Sequence, residues 1–139
     1  MTDQSSDQTT QERSALALAR LAARVADDKK ATDTVVLHVG GVLDITDYFV
    51  ITSASNRRQV RTIAESVAEV LRDEGDRRPL RTEGLGQQDW VLLDYGDVVV
   101  HVFADETRRF YEIERLYRDA PRIEWEPSPR PDLSSPEAD

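Results

Sequence analysis

Cysteine is missing from all 139 positions, which excludes disulfides, thiolate metal ligands and cysteine nucleophiles and agrees with a cytoplasmic chain. No apolar run approaches the ~20 residues that span a bilayer, and the N-terminus is acidic and polar rather than a basic leader before an apolar stretch, so no membrane partner is expected. Basic charge is short as well. Lys and Arg number 18 against 27 Asp and Glu, a formal net charge of −9. Such a chain lacks the broad positive field that phosphate backbones require, which disfavours direct DNA or RNA binding except through a local patch; a basic protein would suit it better. Complete catalytic signatures are absent too. Gly84-Leu85-Gly86 lacks the third glycine of a phosphate loop and leads into no helix, and Ser53-Ala54-Ser55 lacks the glycines of a nucleophile elbow.

The charge and the prolines sit at the ends. Residues 1–12 hold three acids and no base, and five of the six prolines fall within residues 121–139 among Ser, Glu and Asp. Both segments have little to bury and are expected to be mobile tails, leaving one domain over residues 13–120. Inside it, "SALALARLAARVADDKK" (14–30) has Ser14 placed as an N-cap and Leu18, Leu21, Ala22 and Val25 at helical spacing. "TVVLHV" (34–39) and "DYFVITSA" (47–54) are short, β-branched and apolar, as buried strands are. Ser55 or Asn56 can cap a helix over the following residues, striped by Val60, Ile63, Val67, Val70 and Leu71 and stopped by Gly75. Arg57, Arg58 and Arg61 crowd its first turn, where the macrodipole is already positive; a solvated face or a local acidic partner would explain them. "RPLRTEG" reads as an edge strand and "DWVLLD" and "VVVHVF" as a hairpin turning at Gly96. Asp105 can cap a last helix with Phe110, Ile113, Leu116 and Tyr117 inward. This order predicts an α/β fold with a mixed sheet flanked by helices.

Chemistry concentrates in residues 89–103. Asp89, Asp94 and Asp97 with Glu83 could hold Mg²⁺ or act as acid and base if brought together. Strand alternation argues against that, since Asp89 and Asp94 would point to opposite faces, and turn-forming aspartates explain most of the pattern. His38 and His101 each lie inside an apolar strand, where a hydrogen-bonded core histidine is the usual outcome. Alternation also puts Trp90, Leu92 and Asp94 on one face and Val91, Leu93 and Tyr95 on the other. Either the strand is buried on both faces by helices, or an exposed Trp–Leu pair rimmed by carboxylates forms a protein-binding hot spot.

The stretches "TDYFVI" (46–51), "SNRRQVRTIAESV" (55–67), "EGLGQQDWVLLDYGDVVVHVF" (83–103) and "RRFYEIERLYRDA" (108–120) resemble, in order, the ribosomal silencing factor family, RsfS or Iojap. The resemblance implies a nucleotidyltransferase-like mixed sheet, a binding protein rather than an enzyme, and no cofactor or metal. It further implies attachment to the large ribosomal subunit through its protein number fourteen, blocking of small-subunit joining, translation repression under nutrient limitation, and a homodimer when free. Carried onto this chain, the partner contact centres on Trp90, Val91, Leu92, Asp94, Tyr95, Gly96 and Asp97, with Asp47, Tyr48 and Phe49 as neighbours. Ser53-Ala54-Ser55 replaces the family's usual glycine-containing loop, and Leu116-Tyr117 stands where Leu-Trp is frequent. Two alternatives remain beside it. One is a metal-dependent nucleotide-acting enzyme of nucleotidyltransferase type using Asp94 and Asp97, although the chain has neither the Gly-Ser dipeptide nor the Asp-x-Asp pair of such enzymes. The other is a homodimeric adaptor with another protein partner.

Overall fold

The structure, a computed structural model, describes residues 3–126, with side chains described from residue 14 onward. Its elements are α1 (Asp3–Asp28), β1 (Thr32–His38), β2 (Tyr48–Ala54), α2 (Arg57–Asp73), β3 (Arg81–Glu83), β4 (Trp90–Asp94), β5 (Val98–Ala104), α3 (Asp105–Tyr111), α4 (Ile113–Leu116) and β6 (Arg122–Ile123). The strands make one mixed sheet in the order β3-β4-β5-β2-β1-β6. Its centre is a parallel pair, β2 with β5, registered from Tyr48 opposite Val98 to Ala54 opposite Ala104. Every other pairing is antiparallel. The expected mixed α/β sheet flanked by helices is therefore present.

The two faces of the sheet are covered unequally. Alanine-rich α1 lays Ala15, Ala19, Ala22, Ala23 and Ala26 against the sheet with zero exposure, so its backbone comes close, and α2 fills the same layer with Val60, Ile63, Val67 and Leu71. Val50, Val91, Leu93, Val98, Val100 and Val102 meet them from the strands. On the opposite face the α3–α4 segment supplies only Ile113 and Ala120 as buried apolar residues, packing with Leu37, Val39, Phe49, Ile51 and Phe103.

Helix α2 starts as its sequence dictates, with the Asn56 side chain accepting from Gln59 N at 2.8 Å. Gly75 follows its end for a different reason than a left-handed turn. A Cβ there would sit 2.8 Å from the Leu71 carbonyl oxygen, so the close approach needs glycine, and the left-handed residue is Asp76.

Several expectations are corrected. Helix α1 begins at Asp3, so Ser14 is not its N-cap and most of residues 1–12 is helical. No glycine or proline interrupts residues 3–28, and extending an established helix adds one hydrogen bond per residue fixed. At the other end the chain stays in the fold past residue 120. β6 pairs with β1, and Trp125 Nε1 donates to the Thr34 carbonyl at 3.0 Å; the rest of the expected C-terminal tail, 127–139, lies outside the described residues. Ser53 and Ala54 belong to β2 rather than to a loop. The last helix is broken, because Glu112 takes a left-handed conformation (φ 47°), and Asp105 opens α3 without a side-chain cap, its N-cap being Ala104. The break turns Phe110 and Leu116 outward, at 78% and 75% exposure, where an unbroken helix would have buried them.

Candidate functional site

The β4–β5 hairpin closes through Asp94, whose Oδ1 accepts from Gly96 N at 2.8 Å, while Tyr95 N donates to the Val98 carbonyl at 2.8 Å. Gly96 has φ +92°, a conformation that suits glycine and strains other residues. Alternation then sorts β4 as its sequence indicates. Val91, Leu93 and Tyr95 face the α1–α2 layer and are buried, so among the expected contact residues Val91 and Tyr95 have no side chain to offer a partner. Trp90, Leu92 and Asp94 stand on the other face, opposite Phe103, His101 and Val99 of β5.

This second face is the part of the sheet left half open. Trp90, Leu92, Asp94 and Val99 are all partly exposed. Trp90 is neither fully buried nor a free anchor. Its ring packs against Phe103 and Tyr111, centroids 4.7 and 5.1 Å away, and its Nε1 donates to His101 Nδ1 at 3.2 Å. An indole only donates, so His101 Nδ1 must be the unprotonated nitrogen and the proton of the neutral ring sits on Nε2. Burial pushes the His101 pKa down to about 4, against a smaller opposing pull from Asp94. His101 is thus a neutral group that fixes the angle of Trp90, and its own Nε2 has no hydrogen-bond partner.

The carboxylates do not form a free acidic rim. Asp94 Oδ2 accepts from Arg81 Nε at 3.2 Å, and Asp97 takes Arg77 at 2.7 and 3.4 Å. Arg77 also donates to the Tyr95 carbonyl, tying the turn to the residues after α2. Two arginines therefore offset the charge that the sequence alone would assign to the hairpin. Among the described residues no three His, Asp or Glu side chains come together where they could hold a metal ion.

Asp47, Tyr48 and Phe49 do adjoin the hairpin, because Asp47 N and Tyr48 N both donate to the Asp97 carbonyl where the parallel strands begin. Their side chains are another matter. Tyr48 is buried on the helix side and stacked on His38, and Phe49 is buried edge-on to His101 and Tyr117. Asp47 is half-buried beside Gly40.

Several exposed apolar residues escape strand-by-strand reading, among them Ile45, Leu80, Phe110, Tyr111 and Leu116. Ile45 and Leu80 line a cleft of about 290 Å³ with Leu43, Leu92 and Val99, and Tyr111 lines a second with Trp90. For Ile45 and Leu80, a large apolar side chain inside a loop punctuated by glycine or proline was the available signal. Arg108 was equally hidden. It is buried at the start of the broken helix and donates to Glu114 at 2.7 Å, to Ser53 Oγ at 2.9 Å and to the Asp33 carbonyl at 2.7 Å, which holds α3 and α4 against the strand ends.

Fold and site together define a small α/β domain with one apolar and aromatic sheet face left for contact. The family model described as "Ribosomal silencing factor during starvation" matches residues 11–139. The chain is 42% identical over 109 residues to the ribosomal silencing factor RsfS of Halalkalibacterium halodurans, covering 78% of this chain and 92% of that protein. It is 39% identical over 102 residues to RsfS of Bacillus subtilis, covering 73% and 86%. A mouse protein named mitochondrial assembly of ribosomal large subunit protein 1 is 31% identical over 91 residues, covering 64% of this chain and 40% of that protein. A crystal structure of a protein from Bacillus halodurans superposes with a TM-score of 0.68 at 38% identity, covering 78% of this chain and 98% of that one. The chain belongs to the ribosomal silencing factor family.

Proposed function

We propose that this protein acts in the cytoplasm by binding the large ribosomal subunit through its protein number fourteen, where it keeps the small subunit from joining and represses translation under nutrient limitation. The observation that carries this reading is the half-open sheet face, where Trp90 and Leu92 adjoin the exposed Ile45, Leu80 and Tyr111. A cluster of aromatic and aliphatic side chains with a polar rim is the usual make-up of a protein-binding hot spot. Family membership supplies the ribosome as the setting. Trp90, Leu92, Asp94, Gly96 and Asp97 are the contact residues; Asp47 and Phe49 support them, while Val91, Tyr95 and Tyr48 hold the sheet from behind. The action is steric and needs neither cofactor nor turnover, on a scaffold of nucleotidyltransferase-like type.

Mixing the full chain with both ribosomal subunits and following their joining on a density gradient tests this directly. Joining should fall as protein is added, and unaffected joining at saturating protein would overturn the proposal.

The same apolar face suits a second copy of the chain, which supports a homodimer when free. Sedimentation equilibrium should then show a dimer that Leu92→Asp dissociates. A monomer at all concentrations would remove the dimer without touching the ribosomal reading.

A further inference from the structure

Two polar atoms on the contact face are left without partners, and their residues line one cleft. Thr46 Oγ1 and His101 Nε2 are both shut off from water with no hydrogen bond, and both residues line the cleft walled by Leu43, Ile45, Leu80, Leu92 and Val99. Buried polar groups in folded proteins are almost always paired, and two orphans beneath the wall of one cleft are a feature that a ligand would complete. We infer that this cleft receives one uncharged side chain of the protein partner, bearing a carboxamide or hydroxyl oxygen that accepts the His101 Nε2–H while Thr46 Oγ1 bonds the same group.

The chemistry of the walls decides the occupant. His101 offers a donor here, because Trp90 occupies its other nitrogen, so a lysine or arginine finds no acceptor on it. Asp94 and Arg81 share one wall and engage each other, with Gly96 N also bonded to Asp94, so neither a carboxylate nor a cation meets an unpaired charge there. The remaining lining is Phe49, Gly96 and aliphatic side chains. A neutral polar tip on an apolar stem fits all of these conditions.

Entry is from the side of Ile45. The backbone of the preceding turn is fixed by Val42 N and Leu43 N donating to the Val39 carbonyl, and Asp47 is fixed to Asp97, whereas Asp44, Ile45 and Thr46 make no such backbone bonds. Ile45 is 83% exposed, so nothing packs this rim shut. For a partner side chain to reach the two orphan atoms, this side of the cleft has to move.

The inference rests on the proposed ribosomal contact, and the test separates the two. Binding of the full chain to isolated large ribosomal subunits is measured for the parent, Trp90→Ala, Val99→Trp, Thr46→Val, Thr46→Ser and His101→Phe, with urea midpoints confirming the fold of each. Val99→Trp fills the cleft and should weaken binding at least about tenfold. Thr46→Val should lose roughly fivefold, the size of one hydrogen bond, with Thr46→Ser close to the parent, and His101→Phe should lose more because it also releases Trp90 Nε1. If the three cleft variants bind like the parent while Trp90→Ala does not, the cleft proposal falls and the contact face stands. Undiminished binding by Trp90→Ala as well would overturn the contact face and the cleft with it.

Discussion

Leu92 and Leu93 are neighbours in one strand and live on different sides of the molecule. Leu93 points into the layer packed by α1 and α2 and is 2% exposed, while Leu92 points to the face that only α3 and α4 approach and stays partly open. Two long amphipathic helices close one side; a seven-residue helix and a four-residue helix, separated by the left-handed Glu112, leave the other unfinished. The same β4 alternation thus serves stability on one side and leaves the face proposed for contact open on the other. Substitutions on the covered side should act on folding, and those on the open side chiefly on binding.

The sharpest contrast should come from Ile63→Ala, which empties a fully buried position of α2 and should lose about 3–4 kcal/mol of stability, read as a lower urea midpoint. The surviving folded protein should bind large subunits with unchanged affinity; a weakened affinity would mean that the two faces are not independent.

His101 belongs to the open side and yet is buried, so it tests where the division runs. Its folded pKa of about 4 lies below the ordinary 6.5, so the unfolded chain takes up the proton first as pH falls. The stability involved is fully present above pH 6.5 and is lost progressively down to about pH 4, on the order of 3 kcal/mol in all. Urea midpoints between pH 6.5 and 5 should decline for the parent and much less for His101→Phe. Equal slopes would place the acid sensitivity elsewhere.

Next in size is Trp90→Ala, expected to weaken large-subunit binding by about 2 kcal/mol, roughly thirtyfold. The smallest effect belongs to Arg81→Ala. Arg81 is mostly exposed, so its pair with Asp94 should contribute well under about 1 kcal/mol to stability. Freeing Asp94 should nevertheless make binding more salt-dependent, and an unchanged salt dependence would show that this carboxylate does not face the partner.

The covered side was legible in the sequence because it is built from periodicity. Val60, Ile63, Val67 and Leu71 repeat at helical spacing, so their burial could be read from spacing, whereas the β4 alternation separated Val91 and Leu93 from Trp90 and Leu92 without saying which face is covered. The open side was read only in part. Trp90 and Leu92 were visible as an apolar pair, but their environment depends on Tyr111, Phe110 and Leu116, whose outward placement follows from the Glu112 break that a continuous helical pattern conceals. The acidic character of the hairpin was overstated for a similar reason. Arg77 and Arg81 pair with Asp97 and Asp94 across the chain from the residues after α2, and sequence spacing does not announce such a contact.

The parallel β2–β5 pair also governs when the contact face comes into being. Trp90, Leu92 and His101 lie on a hairpin that forms from nearby residues, but Ile45, Thr46 and Phe49 reach them only across the pairing of Tyr48 with Val98, which spans α2, β3 and β4 in the chain. Such long-range closure is a slow event in folding. A chain still emerging during its own synthesis therefore presents half a face at most, and the proposed contact becomes possible only after translation has passed β5.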